Sequence, residues 1–224
     1  MRITRKMKSM SALDRTKVYS LADAIEVLRP HVSKKFDETL DIAVRLNVDI
    51  TKADQNIRGM LSLPNGTGKS VRVAVFTKDK QSEAKKAGAD IVGDADLIEK
   101  VSGGFLDFDR VLATPEMMQP LAKIAKILGP KGMMPNPKLG TVAANIGDAV
   151  AKAKAGQIEY RAEKNGIIHA GIGKMSFPTE KLVENASALI DTLKKVKPAS
   201  VKGQYILGVY VSTTQGAGLK VENK

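Results

Sequence analysis

The sequence predicts a mixed fold in which an α+β domain with a half-exposed antiparallel sheet is split by an inserted α/β domain. In residues 1–67 and 157–224, the strand candidates alternate between apolar and polar residues, which is typical of an antiparallel sheet with one face in water. In residues 68–156, short apolar runs alternate with helical patterns, which is typical of a parallel sheet covered on both faces.

The first block predicts one helix followed by one long strand. Ser20 is followed three residues later by Asp23, which is the pattern of a helix N-cap, and Pro30 ends the helix after about Leu28. The segment Leu40–Val48 is apolar at every second residue, so it predicts a strand with one buried face.

The middle block predicts a Rossmann-like domain, in which short buried strands alternate with helices. Its strand candidates are Val71–Phe76, Ala89–Val92 and Arg110–Thr114. Helical patterns follow each of them, and the last three patterns lie near Leu97–Val101, over Met117–Leu128 and over Ala143–Lys154. Because parallel strands need a long crossover connection, this alternation predicts a parallel sheet.

The third block returns to alternating strands. Gln157–Ala162 and Gly166–Gly173 predict a hairpin that turns at Lys164–Gly166. A helix over about Pro178–Val196 and a strand over Tyr205–Thr213 follow, before a glycine-rich tail.

The first and third blocks share the same strand pattern, so they predict one split domain of residues 1–67 and 157–224. The inserted domain is then residues 68–156. An insertion requires the chain to enter and leave at neighbouring surface points. Thr67, Gly68 and Gly156 lie at these two points and are the predicted hinge residues.

The charge of the chain predicts a polyanionic partner. The 224 residues carry 36 Lys and Arg against 24 Asp and Glu, which gives a formal net charge of +12. The predicted split domain carries +8 of this charge and the inserted domain +4. With five Phe, four Tyr and no Trp, the chain has few rings for stacking on single strands. Folded RNA, held through phosphates and shape, is therefore the better match.

The residue types that most enzymes need are scarce. The chain has no Cys, which excludes disulfides and thiol chemistry, and no HExxH pattern surrounds His31 or His169. We therefore predict no enzymatic reaction, no metal, no cofactor and no small-molecule substrate. The alternative is an α/β enzyme with a ligand site at the loop Gly129–Gly140, but the sequence offers it no nucleophile–base pair.

Gly66-Thr-Gly-Lys-Ser70 resembles part of a nucleotide-binding P-loop. Leu63 stands where the first glycine of that pattern belongs, and the apolar run after Ser70 predicts a strand where a P-loop requires a helix. A flexible connection between domains is the better interpretation. No GxGxxG pattern follows Val71–Phe76, so the Rossmann-like rhythm does not predict a dinucleotide.

No segment predicts export or membrane insertion. The basic N-terminus (Arg2, Arg5, Lys6, Lys8) is not followed by the roughly 7–15 apolar residues of a signal peptide. The uncharged segment Gly203–Leu219 contains Gly, Ser, Thr and Gln, so it predicts a strand and a loop. We therefore expect a soluble, cytoplasmic chain with no membrane partner.

Three sets of residues have both a binding and an ordinary structural interpretation. Lys34 and Lys35 beside Phe36 can grip a phosphate and pack on a base, or the ring can belong to the core. The segment Ser212–Gly216 can recognise RNA through hydroxyl and backbone groups, or it is a polar strand exit. His169 is better explained as a surface histidine than as a catalyst.

Six segments spread along the chain match one known pattern. They are Lys35–Asp49 (KFDETLDIAVRLNVD), Asp54–Gly59 (DQNIRG), Gly88–Gly93 (GADIVG), Ile127–Val142 (ILGPKGMMPNPKLGTV), Gly156–Phe177 (GQIEYRAEKNGIIHAGIGKMSF) and Val209–Gly216 (VYVSTTQG). Through them the chain resembles the bacterial "L-one" family, the first protein of the large ribosomal subunit. The fourth segment is the family signature.

The resemblance implies a part of the large ribosomal subunit that binds large-subunit rRNA and forms the mobile stalk beside the exit site for deacylated tRNA. It also implies contact with exit-site tRNA, and translational repression through binding of the chain's own operon mRNA. The family's RNA contacts map onto Lys35, Phe36, Thr39, Lys164, Asn165, His169, Thr213, Thr214 and Gly216.

Two departures from the family pattern concern the strand exit. The family usually has Met-Gly-Pro after the two threonines, whereas this chain has Gln215, Gly216 and Ala217. Ala217 is expected to permit a looser exit. The hydroxyl of Thr214 is expected to donate to RNA and to contribute little to stability.

Overall fold

The structure, a computed structural model, describes residue 10 and residues 13–222. The predicted basic N-terminus therefore lies outside the described residues. The chain has a mixed α/β fold with several sheets, and it forms two compact units. The first unit is Met1–Lys69 with Ile158–Lys224, and the second is Ser70–Gln157. The predicted division into a split domain and an inserted domain stays a prediction.

The secondary structure of the described residues is as follows. The strands are β1 (Val18–Tyr19), β2 (Thr39–Leu46), β3 (Arg58–Ser62), β4 (Val73–Phe76), β5 (Ile91–Gly93), β6 (Arg110–Ala113), β7 (Gln157–Arg161), β8 (Ile167–Lys174), β9 (Ile206–Thr213) and β10 (Leu219–Val221). The α-helices are α1 (Leu21–Leu28), α2 (Gln81–Lys86), α3 (Ala95–Ser102), α4 (Met118–Leu121), α5 (Ala125–Leu128), α6 (Ile146–Lys154) and α7 (Thr179–Lys195).

The first unit contains a five-stranded sheet in the order β1-β10-β9-β2-β8. Helices α1 and α7 contact this sheet, and the apolar residues of all these elements form one core. On β2, the even-numbered residues from Leu40 to Leu46 are buried, whereas Asp41, Ala43 and Arg45 are partly or fully exposed. The predicted alternation, with one face in the core and one in water, is confirmed for this strand.

Helix α1 begins where the capping pattern predicted. The hydroxyl of Ser20 accepts a hydrogen bond from the N–H of Asp23 over 3.1 Å, which satisfies one of the free donors of the first turn. The helix ends at Leu28, and a 3₁₀ turn over Arg29–His31 contains Pro30. Both predicted ends of this helix are confirmed.

The predicted hairpin between β7 and β8 is wrong in its pairing. β7 forms a separate two-stranded sheet with β3, while β8 pairs with β2. Within the described residues, one bridge, between Ala162 and Ile168, joins the two arms beyond their turn. The turn itself is present, since the N–H of Glu163 donates to the carbonyl of Ile167 over 2.9 Å. An alternating apolar pattern fits any neighbouring strand that presents a matching face. The pattern therefore did not identify β3 as the partner of β7 or β2 as the partner of β8.

The second unit contains a three-stranded parallel sheet in the order β5-β4-β6. The central strand β4 is buried on both faces. Val73 and Val75 belong to one apolar cluster with α6, and Ala74 and Phe76 belong to another with α3. This double burial explains the continuous apolar run, and the predicted parallel pairing is confirmed.

The helix predicted over Met117–Leu128 is interrupted. It consists of α4 and α5, separated by a 3₁₀ turn over Ala122–Ile124. Pro120 has no N–H to donate to the preceding turn, and Ile124 leaves α-helical geometry with φ −101° and ψ 6°. The last helix of the unit, α6, begins three residues later than predicted because the side chain of Asn145 caps it.

Short strands were missed where the sequence pattern is weak. The segment Arg58–Ser62 alternates poorly, yet it forms β3. The glycine-rich tail is followed by β10, which lies between β1 and β9 and completes the first unit's sheet. A strand of three residues has no periodicity to recognise, so only its partners identify it.

Candidate RNA interface

Three loops meet at one end of the five-stranded sheet. β2 begins at Thr39 and is antiparallel to both neighbours, so β8 ends beside it at Lys174 and β9 ends beside it at Thr213. We call residues 33–39, 174–176 and 213–216 the strand-end cluster. It brings together Lys35 and Phe36 with Thr214 and Gly216, which are far apart in the sequence.

Thr214 is hydrogen-bonded to the first residue of β2. The N–H of Thr39 donates to Oγ1 of Thr214 over 3.0 Å, and the N–H of Thr214 donates to the carbonyl oxygen of Thr39 over 3.1 Å. The hydroxyl of Thr214 donates to that carbonyl oxygen over 3.4 Å. The expectation that this hydroxyl contributes little to stability is therefore wrong. Thr214 nevertheless remains exposed to a ligand. Because its proton is donated to Thr39, a contact with RNA would use the hydroxyl oxygen as an acceptor and not, as expected from the sequence, the hydroxyl proton as a donor.

Lys35 and Phe36 project from an anchored loop. Phe36 is 43% exposed, so its interpretation as a core residue is wrong. The adjacent Asp37 carboxylate accepts hydrogen bonds from the N–H of Ser176 over 3.2 Å and from its hydroxyl over 2.7 Å. A ring held in this way loses little conformational freedom when a base or sugar packs against it.

Two of the predicted contact residues have buried side chains. Thr39 and Thr213 are 8% and 4% exposed, and the buried Thr213 hydroxyl has no hydrogen-bond partner among the described residues. Gly216 packs closely on Thr213: a Cβ at this position would collide with Oγ1 of Thr213. These residues shape the strand exit, and the side chains of Thr39 and Thr213 are not available to a ligand.

Ala217, the departure expected to loosen the strand exit, is buried. This residue is 4% exposed, which makes it part of the packed interior. Gln215 is exposed, and its N–H donates to the Glu38 carboxylate over 3.2 Å. The N–H of Gly216 donates to the carbonyl of Thr213 over 2.9 Å and closes the turn.

Lys164 and Asn165 lie at the opposite end of the sheet. Their turn is closed by a 2.8 Å hydrogen bond from the N–H of Gly166 to the carbonyl of Glu163, with Gly166 at a φ of 70°. They precede β8, whose eight residues end at the strand-end cluster. At about 3.3 Å per residue, the turn lies roughly 25 Å from that cluster. RNA that contacts both ends must therefore lie along the sheet.

His169 lies between these two ends on the exposed face of the sheet. It pairs with Ala43 of β2, which in turn pairs with Tyr210 of β9. Both His169 and Tyr210 are exposed, so they form part of one row across the open face. The interpretation of His169 as a surface residue is confirmed.

The sequence analysis missed three cationic side chains of this face. They are Arg45, Lys69 and Lys174. Arg45 is exposed and lies two residues beyond Ala43 on β2, so the polar half of the strand's alternation could have identified it. The Nζ of Lys69 lies 3.9 Å from where a Cβ on Gly171 would stand. Lys69, a residue of the segment Gly66–Ser70, therefore lies beside the sheet, and no sequence pattern indicates this position.

A carboxylate lies among these cations. Burial raises the pKa of Asp41 above its usual range, and the charges of Lys69, His169 and Lys174 oppose that shift. Asp41 therefore offsets part of the positive charge at the centre of the open face.

Two of the three predicted hinge residues have a backbone conformation that favours glycine. Gly68 and Gly156 have φ values of 69° and 89°, which favour glycine, and Thr67 is buried. The chain after Ser70 enters the strand β4, so the strand predicted in place of a P-loop helix is confirmed. The hinge function of Thr67, Gly68 and Gly156 stays a prediction.

The described residues offer few features of other kinds of site. A cleft of the second unit lies where β4 and β6 end and is lined by Thr77, Lys80 and Thr114, among others, but not by the loop Gly129–Gly140. Among residue 10 and residues 13–222, carboxylate and imidazole groups form no cluster of three suited to a metal ion. Within the same residues, no helix has the length and apolar character needed to cross a bilayer.

An open sheet face that carries cations, with an exposed ring and an exposed hydroxyl at one end of its strands, is typical of a protein that binds folded nucleic acid. Residues 28–217 match the sequence model of the Ribosomal protein L1p/L10e family. The chain belongs to this family. It is a structural ribosomal protein that binds ribosomal RNA, and the family places it at the ribosome.

Proposed function

We propose that the chain binds large-subunit rRNA through the first unit and forms the mobile stalk beside the exit site for deacylated tRNA. The observation that carries this proposal is the strand-end cluster, where the exposed Phe36 and Thr214 lie on loops joined by the Thr39–Thr214 hydrogen bonds. Lys35 and Gly216 complete this contact. Thr39 and Thr213 support it through their backbone groups.

The remaining proposed contacts extend the interface along the sheet. His169 lies at the middle of the open face, and Lys164 and Asn165 lie at its far end. Arg45 and Lys69 add positive charge along this path. An RNA helix is long enough to follow it, with phosphates against the cations and ribose hydroxyls at the cluster.

We propose that the two compact units are a split RNA-binding domain and an inserted Rossmann-like domain. The cores support this division, because each apolar cluster draws its residues from one unit alone. The strand order β5-β4-β6 and the helices on both faces support the Rossmann-like assignment. Thr67, Gly68 and Gly156 would act as hinges, which would let the inserted domain move toward exit-site tRNA.

The same interface supports a second proposed role, repression of the chain's own operon through its mRNA. A messenger that folds to the same shape as the rRNA site would meet the same cations and hydroxyls, so the two RNAs would compete. No step in this function requires catalysis, and we propose that the chain carries out no reaction of its own.

A salt titration tests the proposed interface. If about 4–6 phosphates are neutralised, the logarithm of the affinity for a stalk-type rRNA fragment should fall with the logarithm of salt concentration at a slope of roughly −3 to −5. The measurement is a filter-binding or fluorescence titration at several salt concentrations. A slope near zero would contradict a role for the cations of the open face in RNA binding.

Lys35→Ala should weaken binding of this fragment modestly and make the salt slope shallower by nearly one unit, because one phosphate contact is lost. Lys181→Ala is the matched control. Lys181 is an exposed lysine on α7, whose helix packs against the same sheet. Lys181→Ala should leave the salt slope unchanged. Equal slopes for the parent and Lys35→Ala would remove Lys35 from the interface.

A further inference from the structure

Glu38 is a fully buried carboxylate inside the strand-end cluster. It is 0% exposed and directly precedes β2, between the loop of Lys35 and Phe36 and the first strand residue. A charged group in such a place is costly unless hydrogen bonds compensate for the lost water. Its surroundings therefore indicate a specific role.

Each carboxylate oxygen of Glu38 accepts a hydrogen bond from a different loop. The N–H of Ser33 donates to Oε1 over 2.7 Å, and the N–H of Gln215 donates to Oε2 over 3.2 Å. The Glu38 carbonyl oxygen also accepts from the N–H of Met175 over 2.9 Å. One residue thus joins the three loops of the cluster.

The loops joined in this way carry the proposed RNA contacts. Ser33 begins the loop that presents Lys35 and Phe36, and Gln215 lies between Thr214 and Gly216. Bonds from a carboxylate to backbone N–H groups are charge-assisted and stronger than neutral ones. They hold the backbones of both loops at one separation before RNA arrives, so less freedom is lost on binding.

We propose that Glu38 is a positioning residue for RNA: its carboxylate holds the Phe36 loop and the Thr214 loop in the arrangement that RNA recognises. This inference rests on the proposed RNA interface. It assigns no direct RNA contact to Glu38, since the side chain is buried.

Whether a Glu38 variant binds RNA more weakly or more tightly distinguishes the positioning role from simple charge repulsion. Removing a negative charge beside bound RNA should strengthen binding, because the carboxylate repels phosphate. Loss of the link between the loops should weaken binding. Glu38→Gln changes the charge with little change in shape, and its single amide oxygen can accept only one of the two N–H donors well, while its NH₂ group faces the other.

We expect Glu38→Gln to bind a stalk-type rRNA fragment about ten-fold more weakly than the parent, on the scale of one charge-assisted hydrogen bond. The salt slope should stay unchanged, since no phosphate contact is removed. Affinity is measured at a temperature where circular dichroism shows both proteins to be folded. Binding as tight as the parent's, or tighter, would overturn the proposal.

Gln55→Ala is the matched structural control. Gln55 is 7% exposed, and its Oε1 accepts the N–H of Asp49 over 2.8 Å in the loop beyond the other end of β2. This variant removes a buried acceptor of a loop N–H away from the strand-end cluster, so it should lower the melting temperature and leave RNA affinity unchanged. An equal loss of affinity in both variants would mean that general destabilisation is responsible, and would overturn the positioning role.

Hydrogen exchange in the parent protein keeps the proposal testable if Glu38→Gln does not fold. The amides of Ser33 and Gln215 lie in loops, so their protection depends on the carboxylate. We expect slow exchange at both amides in the absence of RNA; exchange at the rate of an unstructured chain would overturn the link. A parent protein that does not bind the rRNA fragment would instead refute the proposed function and leave the protection result unaffected.

Discussion

Thr214→Val is expected to lower both RNA affinity and thermal stability. Its hydroxyl accepts the N–H of Thr39 over 3.0 Å, and a valine leaves that amide without this partner, at a cost of about 1–3 kcal/mol in the free energy of unfolding. A threonine oxygen can accept two hydrogen bonds, so one position remains for a ribose 2′-hydroxyl. Loss of that contact should reduce RNA affinity roughly 5- to 150-fold.

The two effects are measured separately. A thermal melt reports the loss of the Thr39 partner, and an RNA titration on folded protein reports the loss of the ribose contact. The salt slope should barely change because no charge is removed. If Thr214→Val binds RNA as tightly as the parent, the hydroxyl serves the fold alone and the recognition role at this position fails.

Thr213→Val is the neighbouring control with the same chemical change. The Thr213 hydroxyl is buried and has no hydrogen-bond partner in the part of the chain that the structure describes, so its replacement by a methyl group should leave stability equal or higher. RNA affinity should stay close to the parent's, since the proposed contribution of Thr213 is through its backbone. A loss of affinity at Thr213 and none at Thr214 would reverse the assignment of these two neighbours.

The second large effect concerns the two units. We expect a protein lacking residues 70–156, with Lys69 and Gln157 joined by about ten Gly and Ser residues, to fold and to bind the rRNA fragment with nearly the parent's affinity. Every residue of the first unit's apolar core is retained in it. Lys69 is kept because it belongs to the first unit and lies near Asp41.

The complementary piece, Ser70–Gln157, should show no specific binding of the same fragment, so the two pieces should differ by several orders of magnitude in affinity. Circular dichroism and a cooperative melt check that each piece folds. If the joined protein is unfolded, the two cores are not independent. If it folds but does not bind, the interface lies elsewhere than in the first unit.

Sequence patterns predicted the structural elements that depend on residues close together in the chain. The alternation of β2 reports which of its faces is buried, and the cap at Ser20 places the start of α1 because the donor and acceptor are three residues apart. The strand after Ser70 was predicted for a similar reason, since its continuous apolar run reflects burial on both faces. These features depend on neighbours within a few residues.

The candidate site was predicted as a set of residues but not as an arrangement. Residue chemistry left both a binding and a structural interpretation open for Phe36 and for Ser212–Gly216. The resemblance assigned Phe36, Thr213 and Thr214 alike to RNA contact, although the structure exposes Phe36 and Thr214 and buries Thr213. Glu38 and Lys69 were not predicted at all. Their roles depend on contacts with loops that are distant in the chain.

The sequence by itself determined the mixed fold class, the alternation of the first unit's sheet, the parallel strands of the second unit, and the family. Only the tertiary structure decided that β7 pairs with β3 and that Glu38 joins the Phe36 and Thr214 loops. The physical reason is the range of the interactions. Periodicity records whether a residue faces apolar or aqueous surroundings, whereas a hydrogen bond across the sheet depends on which distant segment supplies the partner.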